Sequence, residues 1–115
     1  MESELREGNF IFYSGEVLQL NHKNIDLVYT KGVKFLEGIE INVNWLENFG
    51  FFYINGSGDN STFFQQGVKV ELSDDLSTVY IHSLEIRKIK YVHELQNLFF
   101  ALTGNELVYR DAIHT

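Results

Sequence analysis

The sequence contains no cysteine and no proline, and the lack of cysteine excludes several kinds of site. The 115-residue chain can have no disulfide framework, no thiolate zinc site and no cysteine nucleophile. It also has no run approaching the ~20 apolar residues that span a bilayer, and its charged start, MESELREGNF, lacks the apolar run of a signal peptide. Because the absence of disulfides fits a reducing compartment, we expect a soluble cytoplasmic protein with no membrane partner.

Positive charge is scarce as well. Sixteen acidic residues against nine basic ones leave a net charge of −7, which opposes the phosphate neutralisation that nucleic-acid binding needs. Apolar residues are plentiful, at 44% of the chain, and a chain of this length can bury roughly two thirds of its unfolded surface. We expect a single domain over residues 1–115 that binds no nucleic-acid polymer.

Short β-prone runs separated by turn residues fill most of the chain. Asn9–Tyr13 and Glu16–Leu20 flank Ser14-Gly15, which is the spacing of a two-residue hairpin. The run FFYI at Phe51–Ile54 is apolar on both faces and predicts a covered, central strand. The other predicted strands are Ile25–Tyr29, Val33–Phe35, Ser61–Gln65, Val68–Leu72, Thr78–His82, with Leu84–Ile86 as its continuation, and Glu106–Tyr109. These elements predict an α+β fold with a small curled antiparallel sheet or an SH3-like barrel.

Two amphipathic helices are predicted, one short and one longer. Asn42 can cap a stubby helix that places Trp45 and Phe49 on one face and ends at Gly50. The longer helix runs from about Tyr91 to Leu102 and is closed by Thr103-Gly104. Its apolar stripe consists of Val92, Leu95, Leu98, Phe99 and Leu102.

Phe100 does not belong to that stripe. At ~100° per residue it falls among His93, Gln96 and Asn97, on the opposite face of the helix. Something must cover a large apolar side chain in that position, since burying it is worth roughly 1.5–3 kcal/mol. The options are the chain itself, a second subunit or a ligand.

No catalytic or metal-binding motif is complete. His93-Glu94 begins like the zinc-protease motif HExxH, but Asn97 stands where the second histidine belongs. No serine lies in a GxSxG nucleophile elbow. We therefore predict no catalytic residue, no metal and no cofactor.

A small excess of positive charge precedes the longer helix. Arg87, Lys88 and Lys90 lie beside a single acid, Glu85, in EIRKIKYV. Helix N-terminal N–H groups and the helix dipole favour an anion there by typically 0.3–1 kcal/mol. The segment is either a solvated strand-to-helix junction or a phosphate contact.

Three segments resemble a family of small proteins from phages and prophages of Bacteroidota. They are LREGNFIFYSGEV, INVNWLENFGF and IKYVHELQNLFFALTGNEL, which match the family's L-R-x-G-N, W-L-x-x-F-G-F and K-Y-V-H-x-L-Q-N-L-x-F-A-L-T-G-x-E-L motifs in order and spacing. The stretch Gly38–Asn42 departs from the pattern because it lacks the family's proline. The resemblance implies a phage context and no particular activity. The family's most specific motif falls on Tyr91, His93, Gln96, Asn97, Phe100 and Gly104.

Two functions are compatible with these features. The first is a non-enzymatic phage accessory protein that sequesters a small anionic ligand in the host cytoplasm, such as a nucleotide-derived immune signal. Its cations would pair with phosphate, its aromatic rings would stack on a base, and its polar side chains would bind the base edges. The ligand-binding residues would be Trp45, Arg87, Lys90, Tyr91, His93 and Asn97.

The alternative is a protein-binding module or an inhibitor of a host enzyme, with Phe100 at the interface. Interfaces favour buried aromatic residues, which supports this assignment. We also predict a homo-oligomer, because Phe51–Ile54 and the two-sided helix offer more apolar surface than one small domain readily covers.

Overall fold

The computed structural model describes residues 5–26, 36–57, 60–73 and 76–110. Within these ranges the chain forms two antiparallel sheets with a short and a long helix, which confirms the predicted α+β class. The smaller sheet, in the order β2-β1-β3, contains β1 (Phe10–Tyr13), β2 (Glu16–Gln19) and β3 (Leu36–Glu37). The larger sheet, in sequential order, contains β4 (Phe52–Ser57), β5 (Asn60–Gln65), β6 (Val68–Leu72), β7 (Ser77–Ile81) and β8 (Leu84–Ile89). The helices are α1 (Val43–Asn48) and α2 (Val92–Thr103).

Both sheets are open, so the described strands form a curled-sheet fold and not a closed barrel. Neither α1 nor α2 combines the length and apolarity needed to cross a membrane.

Three hairpins turn through two residues with positive φ. The turns are Ser14-Gly15 (51° and 82°), Gln66-Gly67 (48° and 83°) and His82-Ser83 (49° and 67°). Positive φ at both central residues is the type I′ geometry, whose twist matches that of the flanking strands. The predicted Ser14-Gly15 hairpin is thereby confirmed, with Tyr13 opposite Glu16.

Helix α1 has the predicted caps. The Trp45 N–H donates to Asn42 Oδ1 over 3.0 Å, and Gly50 adopts a φ of 92° just beyond the helix. Leu46 and Phe49 are buried, so this short helix is held mainly by the core against which it packs.

The main core lies between α2 and one face of the larger sheet. Val92, Leu95 and Phe99 of α2 are at most 1% exposed, which confirms the buried part of the predicted stripe. They share one hydrophobic cluster with the sheet residues Phe63, Val68, Val70, Val79 and Ile89. The helix ends at Gly104, whose φ of 77° is the left-handed conformation that glycine adopts without strain.

Several strand predictions require correction. Phe51–Ile54 is not central: β4 begins at Phe52 and lies at the edge of the larger sheet. Leu84–Ile86 belongs to a separate strand, β8. Residues 106–109 form no strand, and instead run past α1, where the Arg110 N–H donates to Asn48 O. Ile25 and Asp26 are helical rather than extended, and the remainder of Ile25–Tyr29, with Val33–Phe35, lies outside the described residues.

Candidate functional site

The N-terminus of α2 is closed by a carboxylate from its own first turn. The backbone N–H groups of Lys90 and Tyr91 both donate to Glu94 Oε1 over 3.0 Å. Arg87 Nη2 lies 3.7 Å from Glu94 Oε2, and Lys90 Nζ lies 3.8 Å from Glu40 Oε1. The cations predicted to bind phosphate therefore already face carboxylates of the chain.

The Tyr91 ring, predicted to stack on a base, packs against its own chain. A Cβ placed on Gly38 would lie only 2.5 Å from this ring, so Gly38 permits a backbone approach that no other residue allows. The ring of His93 stacks on that of Tyr91 at 5.8 Å and 13°, and Lys90 Nζ lies 5.5 Å from the ring centroid. Tyr91 thereby joins the segment after β3 to the start of α2.

The polar face of α2 holds the N-terminal segment in place. His93 is fully buried and Gln96 is 2% exposed. Gln96 Oε1 accepts from the Phe10 N–H and its Nε2 donates to Gly8 O, both over 2.8 Å. Asn97 Oδ1 accepts from Asn9 Nδ2 over 2.9 Å. These contacts give Gln96 and Asn97 a role in joining the segment around β1 to α2.

The candidate ligand-binding residues do not all border one depression. Trp45 lies in an aromatic cluster with Phe10, Phe49 and Tyr109, at ring-centroid distances of 5.1 to 5.7 Å. It borders a depression of about 160 Å³ that is separate from the larger one bordered by Lys90 and Tyr91.

The larger depression has a volume of about 470 Å³ and mixed charge. It is lined by Leu36, Glu37, Gly38, Glu40, Lys90 and Tyr91. Its lining thus includes two acidic residues, Glu37 and Glu40, and one basic residue, Lys90. Among the residues that the structure describes, no group of three His, Asp or Glu side chains is placed to hold a metal ion.

Phe100 is half exposed and is covered on one side by Arg6. The Arg6 guanidinium lies 4.9 Å from the ring centroid, and 43% of Phe100 remains exposed. Glu106 holds the guanidinium through two hydrogen bonds of 2.6 and 3.0 Å, and Gln96 O accepts a third of 3.3 Å. The chain itself therefore supplies part of the cover for Phe100, and the rest of the ring faces outwards.

A more extensive apolar surface lies on β4, where the sequence predicts a covered strand. Phe52, Tyr53 and Ile54 are 59, 54 and 46% exposed. Phe52 contacts the half-buried Phe64 of β5 at a ring-centroid distance of 5.8 Å. These four residues form what we call the β4 edge surface. In the sequence this surface is indicated by the run FFYI, which has no charged residue beside it. The same run is equally typical of a buried core strand.

The two edges of the larger sheet differ in charge. Strand β4, FYINGS, has no ionisable group except the Tyr53 phenol, whereas β8, LEIRKI, carries Glu85, Arg87 and Lys88. Charged side chains on an edge strand disfavour pairing with another chain, and β4 has none. Of the two edges, β4 is the one without charge to oppose a further strand.

Comparison with known proteins adds no relative. No protein-family model matches the chain, and neither does any curated protein or solved structure.

Proposed function

We propose that this protein is a non-enzymatic protein-binding module that binds another polypeptide along the β4 edge surface. The observation that carries the proposal is an uncharged edge strand with three consecutive apolar side chains about half exposed. An edge strand offers a row of backbone N–H and C=O groups to which an extended polypeptide can add as a further strand.

The side chains of this surface would supply affinity on both faces of the sheet. Phe52 is opposite Phe64 in the strand register and Tyr53 is opposite Phe63, and successive residues of a strand point to opposite faces. A polypeptide paired to β4 would therefore cover apolar groups on each side. Complete burial of one such side chain is worth roughly 1.5–3 kcal/mol, so covering the exposed half of each contributes about 1 kcal/mol per residue.

In the phage context that the family resemblance implies, such a module would act as an accessory protein or as an inhibitor of a host enzyme. Phe100 would extend the contact only if the partner also reached α2. The cytoplasm of the host is the compartment proposed for this activity.

Selection from a displayed random-peptide library tests the proposal. The wild-type protein should select apolar, β-prone peptides, and Tyr53→Lys and Ile54→Lys should each weaken their binding tenfold or more because a charge is placed on the edge strand. Ile86→Lys is the matched control, since Ile86 is 40% exposed on the opposite edge. Failure of the monomeric chain to select any peptide, or equal binding by all variants, would contradict the proposal.

Sequestration of a small anionic ligand is the second candidate. It draws on the depression of about 470 Å³ beside Lys90 and Tyr91, a volume within the ordinary range of ligand sites. We rank it second because Glu37 and Glu40 also line the depression and would repel a phosphate. Titration with cyclic and ADP-ribose-type nucleotides tests it, and binding no tighter than about 100 μM would exclude sequestration.

A further inference from the structure

We infer that the polypeptide bound at the β4 edge surface is a second copy of this chain, paired antiparallel through β4 about a two-fold axis. The inference rests on the proposed function of that edge and specifies its partner. This pairing would join the two five-stranded sheets into one sheet of ten strands.

Charge is the first argument for a second copy. The chain carries a net charge of −7, so two copies repel each other wherever their acidic surfaces meet. Strand β4 contains no Asp, Glu, Lys or Arg. Like charges directly opposite each other destabilise a pair of strands. Pairing two copies through β4 avoids this cost, because the strand carries no such charge.

Self-complementarity is the second argument. A two-fold contact uses the same patch on both copies, and the β4 edge surface is apolar on both faces of the sheet, as its own partner must be. The rings of Phe52 and Tyr53 on one copy would meet the equivalent apolar side chains of the other. The opposite edge, with Glu85, Arg87 and Lys88, offers no such match.

The exposed area sets the strength expected of this dimer. Phe52, Tyr53 and Ile54 together offer roughly 300 Å² per copy, hence roughly 600 Å² for the pair, against ~1,200 Å² or more in stable interfaces. Backbone pairing along the strand adds to this. We expect a reversible dimer with a dissociation constant of about 1 μM to 1 mM.

Sedimentation equilibrium on the full chain is the first test. The apparent mass should rise with concentration from 13.4 kDa towards twice that value. Tyr53→Lys or Ile54→Lys should weaken the dimer tenfold or more, and Ile86→Lys should leave it unchanged. Because Tyr53 also contacts Phe63 at 5.7 Å, circular dichroism and thermal unfolding should check that each variant is folded. Ile54 has no partner in the β5 register, so a substitution there should disturb the fold less than one at Tyr53.

Disulfide trapping supplies an independent test, since the chain has no cysteine of its own. In an antiparallel pair opposed side chains point to the same face, so two identical strands related by a two-fold axis must place one residue opposite its own copy. Opposed Cα atoms lie about 4.5–5.5 Å apart, which suits a disulfide. Single cysteines placed in turn at each position of β4, 52 to 57, should give one dominant cross-linked dimer, and Ile86→Cys should give none.

The outcomes separate this inference from the function on which it rests. A wild-type monomer at every concentration that still selects peptides at β4 would overturn the inference and leave the function standing. A monomer that selects no peptide would overturn both. A dimer insensitive to the β4 variants, or a mass that rises beyond a dimer, would show that copies associate through another surface and would also overturn the inference.

Discussion

At the scale of single residues, Ser83 occupies a position that favours glycine. It is the second residue of the third type I′ turn, with a φ of 67°. The other two type I′ turns have glycine at this position, Gly15 with a φ of 82° and Gly67 with a φ of 83°. A residue with a side chain is strained in this left-handed conformation by about 1 kcal/mol. We expect Ser83→Gly to raise the free energy of unfolding by about 0.5–1 kcal/mol and Gly67→Ala to lower it by about 1–2 kcal/mol. Urea unfolding measures both, and destabilisation by Ser83→Gly would contradict the turn assignment.

Phe99 and Phe100 are adjacent residues whose substitutions should have very different costs. Phe99 is 1% exposed in the main core, whereas Phe100 is 43% exposed beneath Arg6. We expect Phe99→Ala to cost about 3–5 kcal/mol of unfolding free energy. Phe100→Ala should cost only about 1–2 kcal/mol, from partial burial and the loss of the cation–π contact. Equal losses in urea unfolding would show that Phe100 is a core residue.

At the scale of elements, Gln96 joins β1 to α2 through one buried and one partly buried hydrogen bond. Gln96→Leu keeps the approximate shape but leaves the Phe10 N–H and the Gly8 carbonyl without this partner. The Gly8 carbonyl keeps its bond from Gln19, so the Phe10 N–H is the buried group left unsatisfied. An unsatisfied buried group costs about 1–3 kcal/mol, so the variant should lose about that much unfolding free energy and the Phe10 amide should exchange faster.

Gln19 provides the matched control for this element contact. Its Nε2 also donates to Gly8 O, over 3.2 Å, but the side chain is exposed to solvent. Water can replace that bond, so Gln19→Leu should cost less than about 0.5 kcal/mol. Equal effects of the two substitutions would contradict a structural role for Gln96.

At the scale of the whole molecule, net charge should govern how readily two copies associate. Two chains of charge −7 repel each other at low ionic strength, and salt screens that repulsion to within about 8 Å at 0.15 M. The proposed contact itself is uncharged. Dimerisation should therefore strengthen as NaCl is raised from about 20 to 500 mM, measured by sedimentation. Weakening by salt would indicate an interface built on ion pairs and would argue against β4.

The local features of this fold follow from short sequence patterns. The Ser14-Gly15 hairpin, the Asn42 cap and the ends of both helices at Gly50 and Gly104 are all found where the pattern predicts them. They are predictable because they depend on the backbone preferences of residues a few positions apart. The stripe of α2 was predictable for a related reason, since its periodicity is built into the helix.

Only the tertiary structure decided which apolar residues are covered. Phe51–Ile54 reads as core, yet Phe52, Tyr53 and Ile54 lie on an edge strand, because the hydrophobic effect has no direction and leaves the order of strands open. The basic junction reads as either a solvated segment or a phosphate contact, and in the structure Glu94 and Glu40 face its cations. The exposure of β4 and the Lys90–Glu40 contact depend on distant parts of the chain, and such contacts leave no signal in local spacing. Glu94, in contrast, lies in the first turn of the helix whose start it closes.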